Sequence, residues 1–264
     1  MGAEIYWFML EGVRVWLIKT IRFDNKVCSD VEVLKDVAFW LAAAYSQGTR
    51  LAGIIYLHRI TNFGISDLAL RNLMMLKQLC GAKQLNSVII ATTPWKYHEG
   101  KLVLKAVGQQ RNKELVETDE LWAGMIKKGG RIERHDGTVE SARRIVSELV
   151  GRRTRIVLDI QRQLVDDMKI LYDTDAGQAL QSELVKERKR YEADFASLRI
   201  DMERAIRERD KTWQRQIANE KSRLEAAVAR KVAEGEEMKI DMQKIMEERE
   251  ETHYKIMKNM GIDR

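Results

Sequence analysis

Proline and cysteine are scarce in this chain of 264 residues, which has one proline, Pro94, and two cysteines, Cys28 and Cys80. Two cysteines are too few for a disulfide framework, and these two form no C-x-x-C pair. We therefore expect a reducing compartment and predict a cytoplasmic location. A single proline together with 33% charged residues is typical of a largely helical protein with at least one long, solvated helix.

Long apolar runs and blocks of like charge are also missing. The N-terminal run MGAEIYWFMLEGVRVWLIK is interrupted by Glu4, Glu11 and Arg14, so it is too short for a membrane span, and it lacks a cleavage-site pattern. The net charge is +6, but no block of arginine and lysine stands out. This pattern argues against nucleic acid as a partner.

The phosphate-binding motif G-x-x-x-x-G-K-[ST] occurs nowhere in the chain, so the lysine and N–H cradle that hold nucleotide phosphates are missing. What is present is an alternation of strands and helices. The predicted strands are 13–18, 51–57, 87–92 and 131–134, and the predicted helices are 29–46, 66–80, 101–128 and 138–150. Such alternation predicts a small, mostly parallel α/β sheet flanked by helices. Its first edge is open unless residues 1–10 or a partner cover it.

Four segments carry a resemblance to a known family. They are VWLIKTIRFDNKVCSDVEVLKDVAFWLAAAY, LAGIIYLHRITN, ALRNLMMLKQLCG and SVIIATTPW. Together they resemble fungal P-loop GTPase-like proteins that are related to the immune-associated nucleotide-binding and septin-like GTPases. The resemblance covers about residues 13–150. It implies a truncated P-loop-type domain, with GTP and Mg²⁺ as cofactors if the family activity is retained.

The chain departs from this family where magnesium and the γ-phosphate would bind. The family segment after the first of these strands reads L-I-D-T-P-G-F-D-D, but here Lys19 stands for the first acid and Arg22 for the glycine. An ammonium group has no acceptor and repels Mg²⁺, and an arginine side chain blocks close backbone approach to a phosphate. Thr20, Phe23 and Asp24 keep the family residue types.

The base-recognition motif of the resemblance is altered as well. Where the family has T-T-x-W-D, this chain ends the motif with Lys96, which cannot accept the hydrogen bonds of guanine. The resemblance thus implies only a vestigial nucleotide site, made of Thr20, Asp24, Thr92, Thr93 and Trp95. We predict no catalytic residue, no metal ligand and no cofactor for this chain as it stands.

Two interpretations stay open for Lys19 and Arg22. They are ordinary loop residues in a fragmentary or mis-assembled gene model, or they form a new anion site at the strand end. His58 and Arg59 also lie at a strand end, where α/β sheets carry their sites, but the resemblance makes them part of the scaffold.

His135 and Asp136 could suggest a general base with its orienting acid. Adjacent residues seldom face one another and no nucleophile is identifiable, so we interpret the pair as a loop before the helix at 138–150.

Residues 153–260 contain no proline and read as helix almost throughout, with a break predicted around 173–177 and a bend at Gly235. Apolar residues recur there every eleven positions, at Leu180, Tyr191, Met202, Trp213 and Leu224. A second series with the same spacing begins four positions later at Leu184. Residues four apart lie on the same face of a helix, so the two series form one apolar stripe along it. An unbroken helix over 178–258 would be about 120 Å long.

The stripe has two interpretations. The helix lies in solvent or against its own domain, or it pairs through residues 178–260 with a second copy or with a partner helix. We favour pairing, because so long a helix cannot bury its stripe on so small a domain.

The predicted organisation is a truncated GTPase-like α/β domain at 1–150, a helical linker at 151–177 and a long charged helix at 178–264. The predicted function is a degenerate GTPase-like protein with weak or no nucleotide binding, which acts as an interaction or scaffold module through its C-terminal helix. The alternative is a GTP-binding and GTP-hydrolysing protein whose phosphate loop lies upstream of a truncated gene model.

Overall fold

The computed structural model describes residues 4–21, 23, 28–60, 67–93, 97–98, 101–102, 105–118, 122–208, 210–248 and 254. Its strands are β1 (Glu4–Leu10), β2 (Val13–Lys19), β3 (Ile54–Arg59), β4 (Val88–Thr93), β5 (Tyr97–His98), β6 (Lys101–Leu102) and β7 (Arg131–Arg134). Its helices are α1 (Asp30–Ser46), α2 (Asp67–Cys80), α3 (Lys105–Glu117), α4 (Gly124–Lys127), α5 (Val139–Gly151), α6 (Asp159–Gln161), α7 (Asp175–Arg207) and α8 (Lys211–Glu237). The α/β class is confirmed, although the helix predicted over 101–128 is divided.

Strands β3, β4 and β7 form a parallel sheet with β4 in the centre. Neighbouring residues of β4 point to opposite faces, as the pleat of a strand requires. Val88 and Ile90 join the main core with α1 and α2, whereas Ile89 and Ala91 join a smaller core with α5. The sheet is therefore covered by helices on both faces, which is typical of parallel strands.

Helix α1 begins where the sequence predicts, because the Ser29 hydroxyl accepts a hydrogen bond from the Glu32 N–H at 3.2 Å. It is the most enclosed helix among those described in full, and even Lys35 and Asp36 are buried along it. Helix α2 ends at Gly81, whose φ of +76° is the left-handed conformation of a helix C-terminus.

The predicted strand at 13–18 is confirmed as β2, but its place in the parallel sheet is wrong. β2 pairs with β1 in a separate antiparallel hairpin, with Glu4 opposite Lys19 and Trp7 opposite Trp16. Glu11 and Gly12 both have positive φ, which is the geometry of a tight two-residue hairpin turn. The N-terminal segment thus covers one edge of β2 rather than an edge of the parallel sheet.

The C-terminal region contains a long helix, but the expectation of one helix over 178–258 is wrong. Helix α7 ends at Arg207 and α8 begins at Lys211, and α8 runs back along α7, with Gln214 hydrogen-bonded to Ala205 and Lys231 beside Glu187. The Asp210 carboxylate accepts hydrogen bonds from the N–H groups of Thr212 and Trp213, each at 2.9 Å, and so starts a new helix. Lack of proline therefore did not mean lack of a turn. We call the antiparallel pair α7–α8 the arm.

The base of the arm is fixed to the α/β domain by apolar and charged contacts. Leu180 and Leu184 of α7 belong to the main core, and so does Met238, which follows α8. On the same side, Arg71 of α2 lies 2.8 Å from Glu187 of α7, and Glu187 lies 3.0 Å from Lys231 of α8. The remaining length of the arm, about residues 188–230, contributes nothing to that core among the described residues.

Among the residues described, no helix combines the length and the apolar character that a membrane span requires.

Candidate functional site

The carboxyl ends of β3, β4 and β7 are the natural place for a site, because parallel strands bring the residues that follow them to one edge of the sheet. Of the predicted nucleotide-site residues, Thr92 and Thr93 end β4 at this edge. Asp24 and Trp95 lie outside the described residues, as do Arg22 and Lys96. Thr20 follows β2, which belongs to the other sheet, and it is exposed.

Thr92 is engaged by the scaffold. Its side chain is buried, and its hydroxyl donates a hydrogen bond to the Glu133 carbonyl of β7 at 3.3 Å. Its own carbonyl accepts from the His135 N–H at 3.0 Å, and the Thr93 carbonyl accepts from the Ile60 N–H at 2.9 Å. These bonds join the ends of the three strands, so Thr92 serves the sheet.

Lys19 ends β2 and is bound to the neighbouring strand. Its ammonium lies 3.0 Å from the Glu4 carboxylate, which also accepts a hydrogen bond from the Tyr6 hydroxyl. The hydrogen bond to Glu4 and then the charge of Glu4 raise the pKa of Lys19. The hydrogen bond from Tyr6, and then the hydrogen bond and charge of Lys19, lower the pKa of Glu4. The side chain that the resemblance places where the magnesium-side acid should be is therefore a cation held by its own hairpin.

His58 lies near the end of β3 in an aromatic cluster. Its ring stands edge-on to Trp122 with 4.5 Å between ring centroids, and Tyr56 lies 6.4 Å away on the same face. Burial lowers the pKa of His58 to about 4 and raises that of Tyr56 to about 12. Both side chains are neutral near pH 7, and His58 serves packing, in agreement with its interpretation as scaffold.

A hydrogen-bonded group that the sequence reading missed follows β7. His135 Nδ1 lies 2.8 Å from the Ser141 hydroxyl, and the Thr138 hydroxyl donates to Asp136 at 2.7 Å. The Ser141 hydroxyl donates to the Thr138 carbonyl at 2.9 Å, so its proton is already committed to the backbone. Thr138 also accepts from the Ser141 N–H and caps α5. The T-x-x-S pattern could have indicated this cap, and the group is structural rather than a nucleophile with its base.

The predicted interaction residues divide between the base and the length of the arm. Leu180 is buried in the main core, and Leu224 is buried within the arm. Tyr191, Met202 and Trp213 are half-buried along the arm. Much of the stripe is thus filled from within the chain, because α8 packs against α7. Binding of a partner through this stripe stays a prediction.

The described residues contain no group of three or more histidine, cysteine, aspartate or glutamate side chains that could hold a metal ion. Together with the engaged hydroxyls, this leaves the described strand ends without an assembled catalytic group.

Comparisons with known proteins give only distant similarity. No family profile and no curated protein matches this sequence. Two structures of Toc33 from Arabidopsis thaliana, a dimerization-deficient mutant and a complex with Mg²⁺ and GMPPNP, each share 10% identity with this chain at a TM-score of 0.45. Each match covers 60% of this chain and either 73% or 75% of the other.

This similarity is distant. At this identity and score it carries no argument for nucleotide binding, activity or partners in this chain. The fungal origin and the immune-associated family that the resemblance implied find no support in these comparisons.

Proposed function

We propose that this protein is a degenerate GTPase-like protein that binds guanine nucleotide weakly or not at all and acts as an interaction module. We further propose that it works in the cytoplasm, in keeping with its two free cysteines. The interaction surface in this proposal is the arm, which would bind a partner helix or a second copy.

The observation that carries the first part is the state of Lys19. A nucleotide-bound Mg²⁺ needs oxygen acceptors, and the side chain at this position is an ammonium paired with Glu4 at 3.0 Å. Thr92 likewise has its hydroxyl donated to a backbone carbonyl. These two observations support the proposal of weak or no nucleotide binding, and we derive no hydrolytic step from these residues.

The observation that favours the arm is its length beyond the domain. About twenty residues of each helix extend past the core, which corresponds to roughly 30 Å. Ile200 and Ile206 near its tip are 58% and 57% exposed. An arm that presents exposed apolar side chains away from its domain offers a surface to other proteins.

The nucleotide part is tested by calorimetric titration of the full chain with a non-hydrolysable GTP analogue in the presence of Mg²⁺. We expect no heat of binding in the low-micromolar range. Saturable binding in that range would overturn the proposal. Lys19→Ala is the matched variant, because a vestigial site that Lys19 disfavours should bind slightly better once the cation is removed.

The open edge of β3 favours a second candidate function, GTP binding with GTP and Mg²⁺ as cofactors. Within the described residues β3 pairs only with β4, and Leu57 on β3 is 65% exposed. A further strand carrying a phosphate loop could pair with that edge. The genomic sequence upstream of Met1 tests this candidate, because it must encode an in-frame G-x-x-x-x-G-K-[ST] motif.

A further inference from the structure

The β1–β2 hairpin is apolar on both faces, which is unusual for strands that meet water. An antiparallel hairpin with one solvated face alternates apolar and polar residues. The fourteen residues of the two strands include only three charged ones, namely Glu4, Arg14 and Lys19. Such a composition is typical of strands that are enclosed on both sides.

The hairpin is nevertheless poorly enclosed by the rest of the chain. Trp7 and Met9 are both 56% exposed on one face, and Tyr6 is 50% exposed on the other. Only Leu10 among the strand residues is buried, and Ile5 packs on the main core. An isolated two-stranded hairpin is marginally stable in water, so this one gains from further pairing.

The outer edge of β1 is the open side. Within the described part of the chain, β1 pairs only with β2. Edge strands are commonly protected by charges, proline or a bulge. β2 carries Arg14 and Lys19, but β1 has a single charge at its end, Glu4, followed by six uncharged residues. The edge of β1 therefore lacks the usual protection against strand addition.

We propose that β1 pairs with β1 of a second copy of this chain, so that two hairpins form one four-stranded antiparallel sheet. Only one antiparallel register pairs all seven residues of β1, and it places Trp7 opposite Trp7 on the twofold axis. Tyr6 then faces Phe8, Ile5 faces Met9, and Glu4 faces Leu10. No like charges oppose each other in this register, and its centre is a set of aromatic pairs that stabilise a sheet. The sequence of β1 is thus complementary to itself.

The exposed area sets the strength of this dimer. Tyr6, Trp7 and Met9 each leave about 100 Å² exposed, given the size of such side chains. Two copies would bury at most about 600 Å² of this side-chain surface in addition to the strand edges, which is below the usual size of specific interfaces. The dimer should therefore be reversible, with a dissociation constant in the micromolar range.

Sedimentation of the full chain across the micromolar range tests the proposal. We expect a concentration-dependent dimer, and we expect Trp7→Lys to raise its dissociation constant about tenfold or more because two lysines would face each other on the axis. The control is Ile200→Lys, which makes the same kind of change at an exposed position of the arm. A monomeric wild type, or dissociation by Ile200→Lys but not by Trp7→Lys, overturns the proposal. The second of these results would place the interface on the arm.

Cysteine cross-linking tests the register directly, in a Cys28→Ser background. Trp7→Cys should form a disulfide-linked dimer on mild oxidation, because residues opposed on the axis have Cα atoms about 5 Å apart. Met9→Cys is the matched control, since Met9 has the same exposure. Its two copies would lie about 13 Å apart along the strands, so it should not cross-link. Equal cross-linking of both variants, or none of Trp7→Cys, contradicts the register. The inference depends neither on nucleotide binding nor on the arm.

Discussion

Acid should destabilise this protein in part through His58. The folded protein holds its ring neutral, with a pKa of about 4 against an ordinary value of 6.5. The unfolded chain therefore binds a proton between these values while the folded chain does not. The stabilising contribution is complete above about pH 6.5 and is lost as the pH falls toward 4. This is the direction expected of a histidine whose pKa is lowered by burial.

The size of the effect follows from the two pKa values. Between about pH 7 and pH 5, a shift from 6.5 to 4 lowers the free energy of unfolding by about 1.8 kcal/mol. Because the ring keeps some contact with solvent, we expect about 1–2 kcal/mol. The largest neighbour of the ring is Trp122, which is 1% exposed, so the ring has little freedom to move outward.

Urea unfolding of wild type and His58→Phe at about pH 7 and pH 5 measures this contribution. Other groups that titrate between about pH 5 and pH 7 are present in both proteins. These groups affect both proteins equally, so the difference between wild type and His58→Phe isolates His58. We expect wild type to lose about 1–2 kcal/mol more than the variant over this interval. Equal losses, or an NMR titration that gives His58 a pKa near 6.5, would refute the reasoning.

Two further predictions concern the arm. Glu187→Gln removes the carboxylate shared by Arg71 and Lys231 and should lower the free energy of unfolding by about 1–3 kcal/mol. The control is Glu192→Gln, because Glu192 forms an exposed pair with Arg188. It should change the free energy of unfolding by less than about 0.5 kcal/mol. Equal effects in urea unfolding would mean that Glu187 does not fix the arm to the domain. Ile217→Asp places a charge at a position in α8 that is 5% exposed, so it should lower the free energy of unfolding by about 3 kcal/mol. It should leave the mass in sedimentation unchanged. The control Arg215→Asp, at an exposed position, should change neither the free energy of unfolding nor the mass. A lower mass for Ile217→Asp would show that this stripe holds copies together.

Local sequence determined most elements of the α/β domain. Ser29 and Glu32 specify where α1 begins, and Gly81 specifies where α2 ends, because a cap and a left-handed glycine act within one turn of helix. Continuous apolar runs predicted β3 and β4 as parallel strands. The expectation that the run 51–57 forms a central strand is wrong within the described residues, where β4 is central and Leu57 on β3 is 65% exposed. The candidate site stays a prediction. Thr92 does lie at a strand end, but its hydroxyl is committed to Glu133, which is 41 residues away in the chain.

Two features depended on contacts between distant segments. The sequence predicted β2 as a strand, but its pairing with β1 rather than β3 is a matter of which edges meet, and periodicity does not contain that information. The eleven-residue stripe predicted an apolar seam, and the structure closes much of it from within the chain, because Asp210 starts a second helix that turns back on the first. A stripe specifies that a helix face must be covered, but only the tertiary structure decides whether the cover comes from the same chain. The reason is that burial of apolar surface has no direction and rewards any partner that fits.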